Sequence, residues 1–155
     1  MTVSEREKAA RVRRFEQMCR EAGVKITPQR MAIFLAVAET GDHPDAETVF
    51  KRVRERMPTV SLDTVYRALW MLKDLGLIIT LGSARERARF DANLCRHHHF
   101  VCERCGLTRD FYSEAFNALP LPESLDAIGQ VTTTHVEARG LCLDCAAKQH
   151  TEKKE

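Results

Sequence analysis

The sequence predicts an α+β protein of two modules, a helical front half that ends in a two-stranded ribbon and a small back half of short strands. Three observations predict this arrangement. Apolar residues recur at helical spacing through four segments of the front half. Arginines then occupy alternate positions, as residues on one face of a strand do. Two Cys-x-x-Cys pairs frame the back half, where the apolar periodicity changes to short strands.

Four helices are expected in the front half, each with its own start signal. The first runs from Glu5 to Ala22 and is ended by Gly23. The other three begin after residues whose side chains cap a helix N-terminus: Thr27 (followed by Pro28), Asp45 and Ser61.

The fourth helix has two distinct faces. Its apolar residues recur at helical spacing and are expected to be buried: Leu62, Val65, Leu69 and Leu72. Polar and aromatic side chains occupy the opposite face: Thr64, Tyr66, Arg67, Trp70 and Lys73. Of these, Trp70 is expected to pack in the core or at the domain junction.

A two-stranded ribbon is expected to follow this helix. Its first strand is Leu77–Leu81 and its turn is Gly82-Ser83. Its second strand carries the alternating arginines Arg85, Arg87 and Arg89. Helices, a recognition helix and a basic ribbon together predict a winged helix-turn-helix. The alternative is an arginine-studded hairpin that is merely solvated.

DNA contacts can be assigned to this predicted module by residue type. Tyr66 and Arg67 are candidates for base edges, since arginine can bridge guanine O6 and N7. A half-buried packing role is the alternative for Tyr66. Thr64 lies on the same face. Backbone contacts, which position a protein without reading sequence, are expected from Arg13, Arg14, Arg30, Arg85 and Arg87.

Charge is distributed unevenly along the 155 residues. Residues 1–90 hold 17 Lys and Arg against 12 Asp and Glu, whereas residues 91–155 hold 7 against 10. This asymmetry indicates a nucleic-acid reader joined to a sensor or assembly module. An ordinary fluctuation of surface charge is the alternative. The chain has no apolar run near 18 residues and a charged N-terminus, so we expect a cytoplasmic protein with reduced thiols and no membrane partner.

The back half, residues 91–155, reads as a small module of strands and one helix. A hairpin is expected from His99–Cys102 and Thr108–Tyr112. Ser113–Ile128 contains a helix interrupted by prolines, and Gln130–Cys142 is expected to form a third strand. From Lys148 to the end the chain is polar and expected to fray.

The two cysteine pairs predict a structural zinc site. Each pair places two thiolates on one tight turn, and two such turns make a tetrahedral sulfur cage. Closing the 36-residue loop between the pairs costs about 3 kcal/mol plus a constant, whereas structural zinc returns about 10–16 kcal/mol in model peptides. Disulfides or redox pairs are the alternative. The four predicted ligands are Cys102, Cys105, Cys142 and Cys145.

Histidines and aspartates indicate a second, different metal site. In a strand, His97 and His99 face the same way and the residue between them faces the other way. Asp110 lies on the partner strand, Asp91 just upstream, and His43 in a loop of the first module. Three imidazoles and two carboxylates suit Fe(II), Mn(II), Zn(II) or Co(II). Solvated surface histidines are the alternative.

The order of motifs resembles the ferric uptake regulator family of metal-dependent bacterial transcription factors, from about residue 10 to 146. The motifs are Thr27-Pro28-Gln29-Arg30, Asp63-Thr64-Val65-Tyr66-Arg67, Arg89-Phe90-Asp91, His97-x-His99-x-x-Cys102-x-x-Cys105-Gly106 and Cys142-x-x-Cys145. The resemblance implies a homodimer held by the second module, with a regulatory metal at the junction of the modules. It also implies metal-dependent binding to an AT-rich, palindromic operator.

Within that family, the ligand types resemble the peroxide-sensing branch. Aspartate stands at both Asp91 and Asp110, where iron-sensing members typically have glutamate. In the peroxide-sensing branch, bound Fe(II) reacts with hydrogen peroxide and a ligand histidine is oxidised; His43 and His97 match those positions. Arg67 stands where some peroxide sensors carry asparagine, so an operator of the iron-regulator kind stays open. An iron-responsive or zinc-responsive regulator without peroxide chemistry is the alternative.

An enzyme is the competing class of protein. His135-Val136-Glu137 followed by Cys142-x-x-Cys145 partly matches the motifs of zinc nucleobase deaminases. However, Leu141 replaces the proline of that motif, and only four residues separate Glu137 from Cys142. We therefore expect no enzymatic activity. A zinc-stabilised DNA-binding scaffold without a sensory metal is the third alternative.

Overall fold

A computed structural model describes residues 3–81 and 88–152, with the side chains of residues 150–152 left aside. The chain divides into two compact units, residues 1–94 and residues 95–155. Asp91, expected at the start of the second module, thus belongs to the first unit. Within the described residues, no helix is both long enough and apolar enough to cross a membrane.

The first unit is a winged helix-turn-helix whose helices start where the sequence indicates. Thr27, Asp45 and Ser61 each accept a hydrogen bond from the backbone N–H three residues later, as N-caps do. The elements are α1 (Glu5–Glu21), α2 (Pro28–Ala38), α3 (Ala46–Arg56), α4 (Leu62–Asp74), β1 (Ile79–Leu81) and β2 (Arg89–Asp91).

One apolar core holds these helices together. The rings of Phe15 on α1 and Phe34 on α2 stack with centroids 4.7 Å apart. The α4 helix contributes its buried face to the same core: Val65, Ala68, Leu69 and Leu72. Burial of this face fixes the opposite face of α4 toward solvent.

One expectation for α4 was wrong: Leu62, the first residue of the helix, is 36% exposed rather than buried. Trp70 is 43% exposed, with one ring edge against Phe90 at a centroid distance of 6.2 Å. Trp70 therefore covers the core from outside and keeps an accessible surface.

The first strand of the ribbon starts two residues later than the sequence predicts. Leu77 and Ile78 are buried in the core, and β1 begins at Ile79. It pairs antiparallel with β2, Ile79 opposite Asp91. The predicted turn Gly82-Ser83 and the predicted contacts Arg85 and Arg87 lie outside the described residues.

The second unit is a three-stranded sheet flanked by short helices. The strands β3 (His98–Cys102) and β4 (Thr108–Phe111) form the predicted hairpin, and β5 (Glu137–Gly140) pairs parallel to β3, which gives the order β4-β3-β5. The helices are α5 (Glu114–Asn117) and α6 (Leu143–Glu152), with a 3₁₀ turn at Glu123–Leu125 between α5 and β5.

Two boundaries in the second unit differ from the expectations. The strand expected over Gln130–Cys142 is confined to the four residues that pair with β3. The segment from Lys148, expected to fray, continues α6 as far as Glu152. The α6 helix was not predicted from the sequence.

Candidate metal centres and nucleic-acid interface

The four cysteines of the second unit come from two chain reversals that meet beside β3. Cys102 ends β3, and Cys105 lies in the turn that leads to β4. The next residue, Gly106, has φ +73°, a left-handed conformation that glycine adopts without strain, and its N–H donates to the Cys102 carbonyl. Cys142 immediately precedes α6, and Cys145 lies in the first turn of that helix.

The sulfur geometry fits a tetrahedral metal. All four sulfur atoms lie within 4.8 Å of one another, and Cys105 Sγ is 3.7 Å from Cys142 Sγ. With zinc–sulfur bonds of about 2.3 Å, the edge of a tetrahedron is about 3.8 Å. Cys102, Cys142 and Cys145 are buried and pack against Phe100 and Leu107, whereas Cys105 is exposed. This site could hold structural zinc.

Neighbouring backbone N–H groups and sulfur atoms shift the pKa values of two cysteine thiols in opposite directions. Backbone N–H groups, first that of Cys105 and then that of Cys142, lower the pKa of Cys102 to about 6. The Cys142 N–H donates to Cys102 Sγ over 3.3 Å. Hydrogen bonding with Cys142, followed by burial, raises the pKa of Cys145 to about 12. Without metal the cage therefore retains protons, which an ion must displace.

A second donor cluster in the same unit brings together His97, His99 and Asp110. The two imidazole Nε2 atoms are 2.9 Å apart, and each is 3.6 Å from Asp110 Oδ1. Both histidines are buried, and the Asp110 side chain is 19% exposed. Donors bound to one metal at about 2.1 Å stand roughly 3.0–3.4 Å apart, so this triangle could take an ion with little adjustment. Two histidines and one carboxylate are the donor set of non-haem Fe(II) sites.

Neighbouring groups orient this cluster. His97 Nδ1 is 2.6 Å from the Cys95 carbonyl oxygen and donates to it, which leaves the Nε2 lone pair for a metal. His98 lies on the opposite side, as expected: its Nδ1 accepts from the Val136 N–H over 3.1 Å. Sequence reasoning missed the Cys95 carbonyl, since a backbone group leaves no signal in residue type.

The first unit contributes a separate pair, His43 and Asp91. Their Nδ1 and Oδ1 atoms are 3.7 Å apart, and both side chains are almost fully buried. The loop around His43 runs beside β2 because the Phe90 N–H donates to the Pro44 carbonyl. His43 has φ +49°, a left-handed backbone that few non-glycine residues adopt. The Asn93 N–H, which was not anticipated, orients Asp91 by donating to its Oδ1 over 2.7 Å.

The exposed face of α4 presents the residues predicted to read DNA. Tyr66 is 42% exposed, while Thr64 is half-buried with its hydroxyl 2.8 Å from Ser61 Oγ. Arg67 projects into solvent, with its Nε 2.9 Å from Asp63 Oδ2. The sequence analysis missed this pair, although the spacing of four residues permits it.

The remaining described basic candidates lie on α1 and α2. Arg13 and Arg14 are exposed on α1. Arg30 is partly buried, and its guanidinium donates to the Lys25 carbonyl. Arg13 and Arg14 are therefore open to a phosphate backbone, whereas Arg30 also ties the start of α2 to the preceding loop.

These features define a winged helix-turn-helix protein with a four-cysteine centre and a histidine–aspartate donor set in each unit. The family model described as the ferric uptake regulator family matches residues 21–140. The peroxide-responsive repressor PerR of Staphylococcus aureus is 33% identical over 129 residues, which cover 83% of this chain and 87% of that relative. The chain belongs to the ferric uptake regulator family, whose members are DNA-binding, metal-responsive regulators.

Solved structures agree on the fold. The Helicobacter pylori ferric uptake regulator Fur, described as having three functional metal-binding sites, superposes with a TM-score of 0.70 at 18% identity, covering 94% of this chain and 97% of that one. A zinc uptake regulator complexed with zinc and DNA gives 0.66 at 23% identity, covering 92% and 97%. At these identities the likeness establishes the fold alone.

Proposed function

We propose that this chain is a metal-dependent repressor that releases its operator when peroxide oxidises a ligand histidine. The observation that carries the proposal is the donor chemistry of the two units. The second unit holds two imidazoles and one carboxylate around one point, and the first holds a buried imidazole beside a carboxylate. The regulatory ligands are His43, Asp91, His97, His99 and Asp110.

The donor set supports Fe(II) or Mn(II) as the regulatory metal, with Zn(II) also compatible. Carboxylate oxygens are harder donors than the thiolates of the cysteine cage, so the two centres favour different ions. Zinc at Cys102, Cys105, Cys142 and Cys145 has a structural role, because all four sulfurs belong to one unit and complete a closed tetrahedron.

Ligands drawn from two units make the regulatory metal a switch. An ion that takes donors from both would restrict the orientation of the winged helix relative to the second unit. If it favours the restricted state by about 3–4 kcal/mol, a mostly open population becomes mostly closed, since each 1.4 kcal/mol is tenfold. Loss of one imidazole donor removes an interaction of that order.

When bound, Fe(II) would supply the redox chemistry that activates hydrogen peroxide. His43 or His97 would be the oxidised group: one peroxide oxygen replaces the hydrogen on an imidazole carbon, the other leaves as water, and the oxidised ring is a weaker metal donor. Both side chains are buried, which keeps bulk water away from the imidazole that is oxidised. The relative PerR, which is peroxide-responsive, supports this reading.

A homodimer on double-stranded operator DNA is the proposed active form, acting in the cytoplasm and without enzymatic activity. Large apolar side chains on the second unit remain exposed, among them Ile128 at 81% and Leu143 at 90%. Such surface favours association with a second copy. Two α4 helices in a dimer could then meet successive major grooves about 34 Å apart.

The proposed DNA contacts divide into base-reading and backbone contacts. Tyr66 and Arg67 read base edges, because both are exposed on the solvent face of α4. Arg13, Arg14, Arg30, Arg85 and Arg87 contact the sugar-phosphate backbone, and Thr64 is a further DNA contact on α4.

An iron-responsive or zinc-responsive regulator is the second candidate function. Arg67 favours this second candidate, because some peroxide sensors carry asparagine at this position. An operator of the iron-regulator kind is therefore compatible with Arg67. In that case the same donors bind metal reversibly and peroxide leaves the histidines unchanged.

The deciding experiment is intact-mass analysis of Fe(II)-loaded protein after a small dose of hydrogen peroxide, with Mn(II)-loaded protein as the control. We expect one added oxygen in the iron sample alone, located by peptide digestion at His43 or His97. Asp110→Glu should slow this oxidation while preserving DNA binding. An unmodified iron sample that still binds DNA in an Fe(II)-dependent manner would select the second candidate.

A further inference from the structure

The ion pair between Asp63 and Arg67 occupies the exposed face of the helix that is proposed to read DNA. The Arg67 Nε lies 2.9 Å from Asp63 Oδ2, and the two side chains are 81% and 71% exposed. Exposed pairs of this kind contribute little to folding. A contribution to stability therefore does not explain why the negatively charged Asp63 lies on a surface that is proposed to bind DNA.

The pair leaves one edge of the guanidinium available. The carboxylate contacts Nε, whose N–H shares one edge of the planar group with one terminal nitrogen. The end of the guanidinium between its two terminal nitrogens takes no part in this contact. Those two nitrogens match the spacing of guanine O6 and N7 in the major groove. The other cation of α4, Lys73, lies over the Trp70 ring at 4.8 Å and is directed to a different part of the helix.

The helix itself favours the charge on Asp63. This residue lies in the first turn of α4, where the unsatisfied N–H groups and the helix dipole stabilise an anion. The acid also precedes the base by four residues, which is the favourable orientation for such a pair. Asp63 is therefore placed to hold the Arg67 side chain in one orientation before DNA arrives.

We propose that Asp63 is a specificity-determining residue that positions the Arg67 guanidinium so that its terminal nitrogens select guanine in each operator half-site. The inference rests on the proposed function, since it concerns the same DNA-reading helix. Asp63 acts in two ways. It restricts Arg67 to the base-reading orientation, and its negative charge opposes contacts with phosphates on non-operator DNA.

The test is selection of sequences from a randomised duplex DNA library by the full-length, Mn(II)-loaded protein. Wild type should select guanine at one position in each half-site. Arg67→Ala should lose roughly tenfold or more of the preference at that position. Asp63→Asn, which keeps the size of the side chain, should weaken the same preference several-fold and leave other positions unchanged. Asp74→Asn removes an exposed acid at the other end of α4 and should change nothing.

If Asp63 positions Arg67, the double variant should give a result that a purely structural role does not predict. In the Arg67→Ala background, Asp63→Asn should have no additional effect on base preference, whereas binding to non-operator duplex should tighten in both backgrounds. Circular dichroism and urea unfolding confirm that each variant is folded.

Three results would overturn the inference. An unchanged guanine preference in Asp63→Asn would show that the pair does not position Arg67. A change at a neighbouring cytosine would show that Asp63 itself accepts from cytosine N4. If wild-type, metal-loaded protein selects no sequence at all, the proposed function fails together with this inference, and that outcome is distinct from the other two.

Discussion

His99 lies directly opposite Asp110 in the antiparallel pair of β3 and β4, with its Nε2 3.6 Å from Asp110 Oδ1. The same oxygen is 3.6 Å from His97 Nε2. Strand register thus places one carboxylate beside two imidazoles that share a face. Paired strands hold His99 and Asp110, and His97 directly precedes β3, so the cluster needs little rearrangement to bind an ion.

Asp110→Asn should weaken Mn(II) binding, because it removes the anionic donor of this cluster and keeps its size. We expect a loss of at least about tenfold in affinity, since even groups that only orient a ligand contribute 10–100-fold. Titration calorimetry with Mn(II) measures the change. Glu114→Gln, which neutralises an exposed acid on α5, is the matched control and should bind as wild type does. Equal affinities for the two variants would exclude Asp110 as a ligand.

The role of His43 can be separated from its unusual backbone. His43→Asn and His43→Ala both remove the imidazole, so both should abolish metal-dependent DNA binding. Asparagine adopts a left-handed backbone, such as the φ of +49° at this position, more readily than alanine does. His43→Ala should therefore unfold at lower urea than His43→Asn, by about 1 kcal/mol in the free energy of unfolding. Metal-dependent binding that survives in His43→Asn would contradict the proposed ligand role.

Local signals in the sequence predicted the first unit well. Thr27, Asp45 and Ser61 identified three helix starts because an N-cap acts on the residues next to it. The bond from the Phe90 N–H to the Pro44 carbonyl brings the His43 loop beside Asp91, and no local pattern encodes it. The Asp63–Arg67 pair was readable from its spacing, but helix spacing permits many pairs that do not form.

The second unit was harder to predict because its strands β3 and β5, which pair with each other, are far apart in sequence. The register of β5, with Glu137 opposite His99, depends on a parallel pairing of segments far apart in sequence. From the sequence alone, this strand was expected to run from Gln130 to Cys142. The cysteine spacing nevertheless predicted the sulfur cluster, since metal ligands must converge whatever connects them.

Cys142→Ser should abolish zinc binding and unfold the second unit. A structural zinc contributes about 10–16 kcal/mol, which is comparable to or larger than the 5–15 kcal/mol that stabilises a typical domain. The first unit has its own apolar core and should stay folded. Elemental analysis for zinc and two-dimensional NMR spectra report both effects. Cys95→Ser changes an exposed cysteine outside the cluster and should retain one zinc per chain. A folded second unit in zinc-free Cys142→Ser would refute the structural role.

Zinc binding should release protons in a number that depends on pH. At pH 8 Cys102 is already a thiolate, because its pKa is about 6, whereas Cys145 keeps its proton because its pKa is about 12. Zinc requires four thiolates, so binding at pH 8 should release at least one proton and fewer than four.

Below pH 6 Cys102 must also lose a proton when zinc binds. The slope of log Kd for zinc against pH should therefore steepen by about one between pH 7 and pH 5, with affinity falling as pH falls. Competition with a chelator of known affinity measures the slope. The Asp110→Asn variant, run in parallel, shows whether metal binding at the histidine cluster contributes to the slope. A constant slope across this range would mean that the backbone N–H groups of Cys105 and Cys142 do not hold Cys102 as a thiolate.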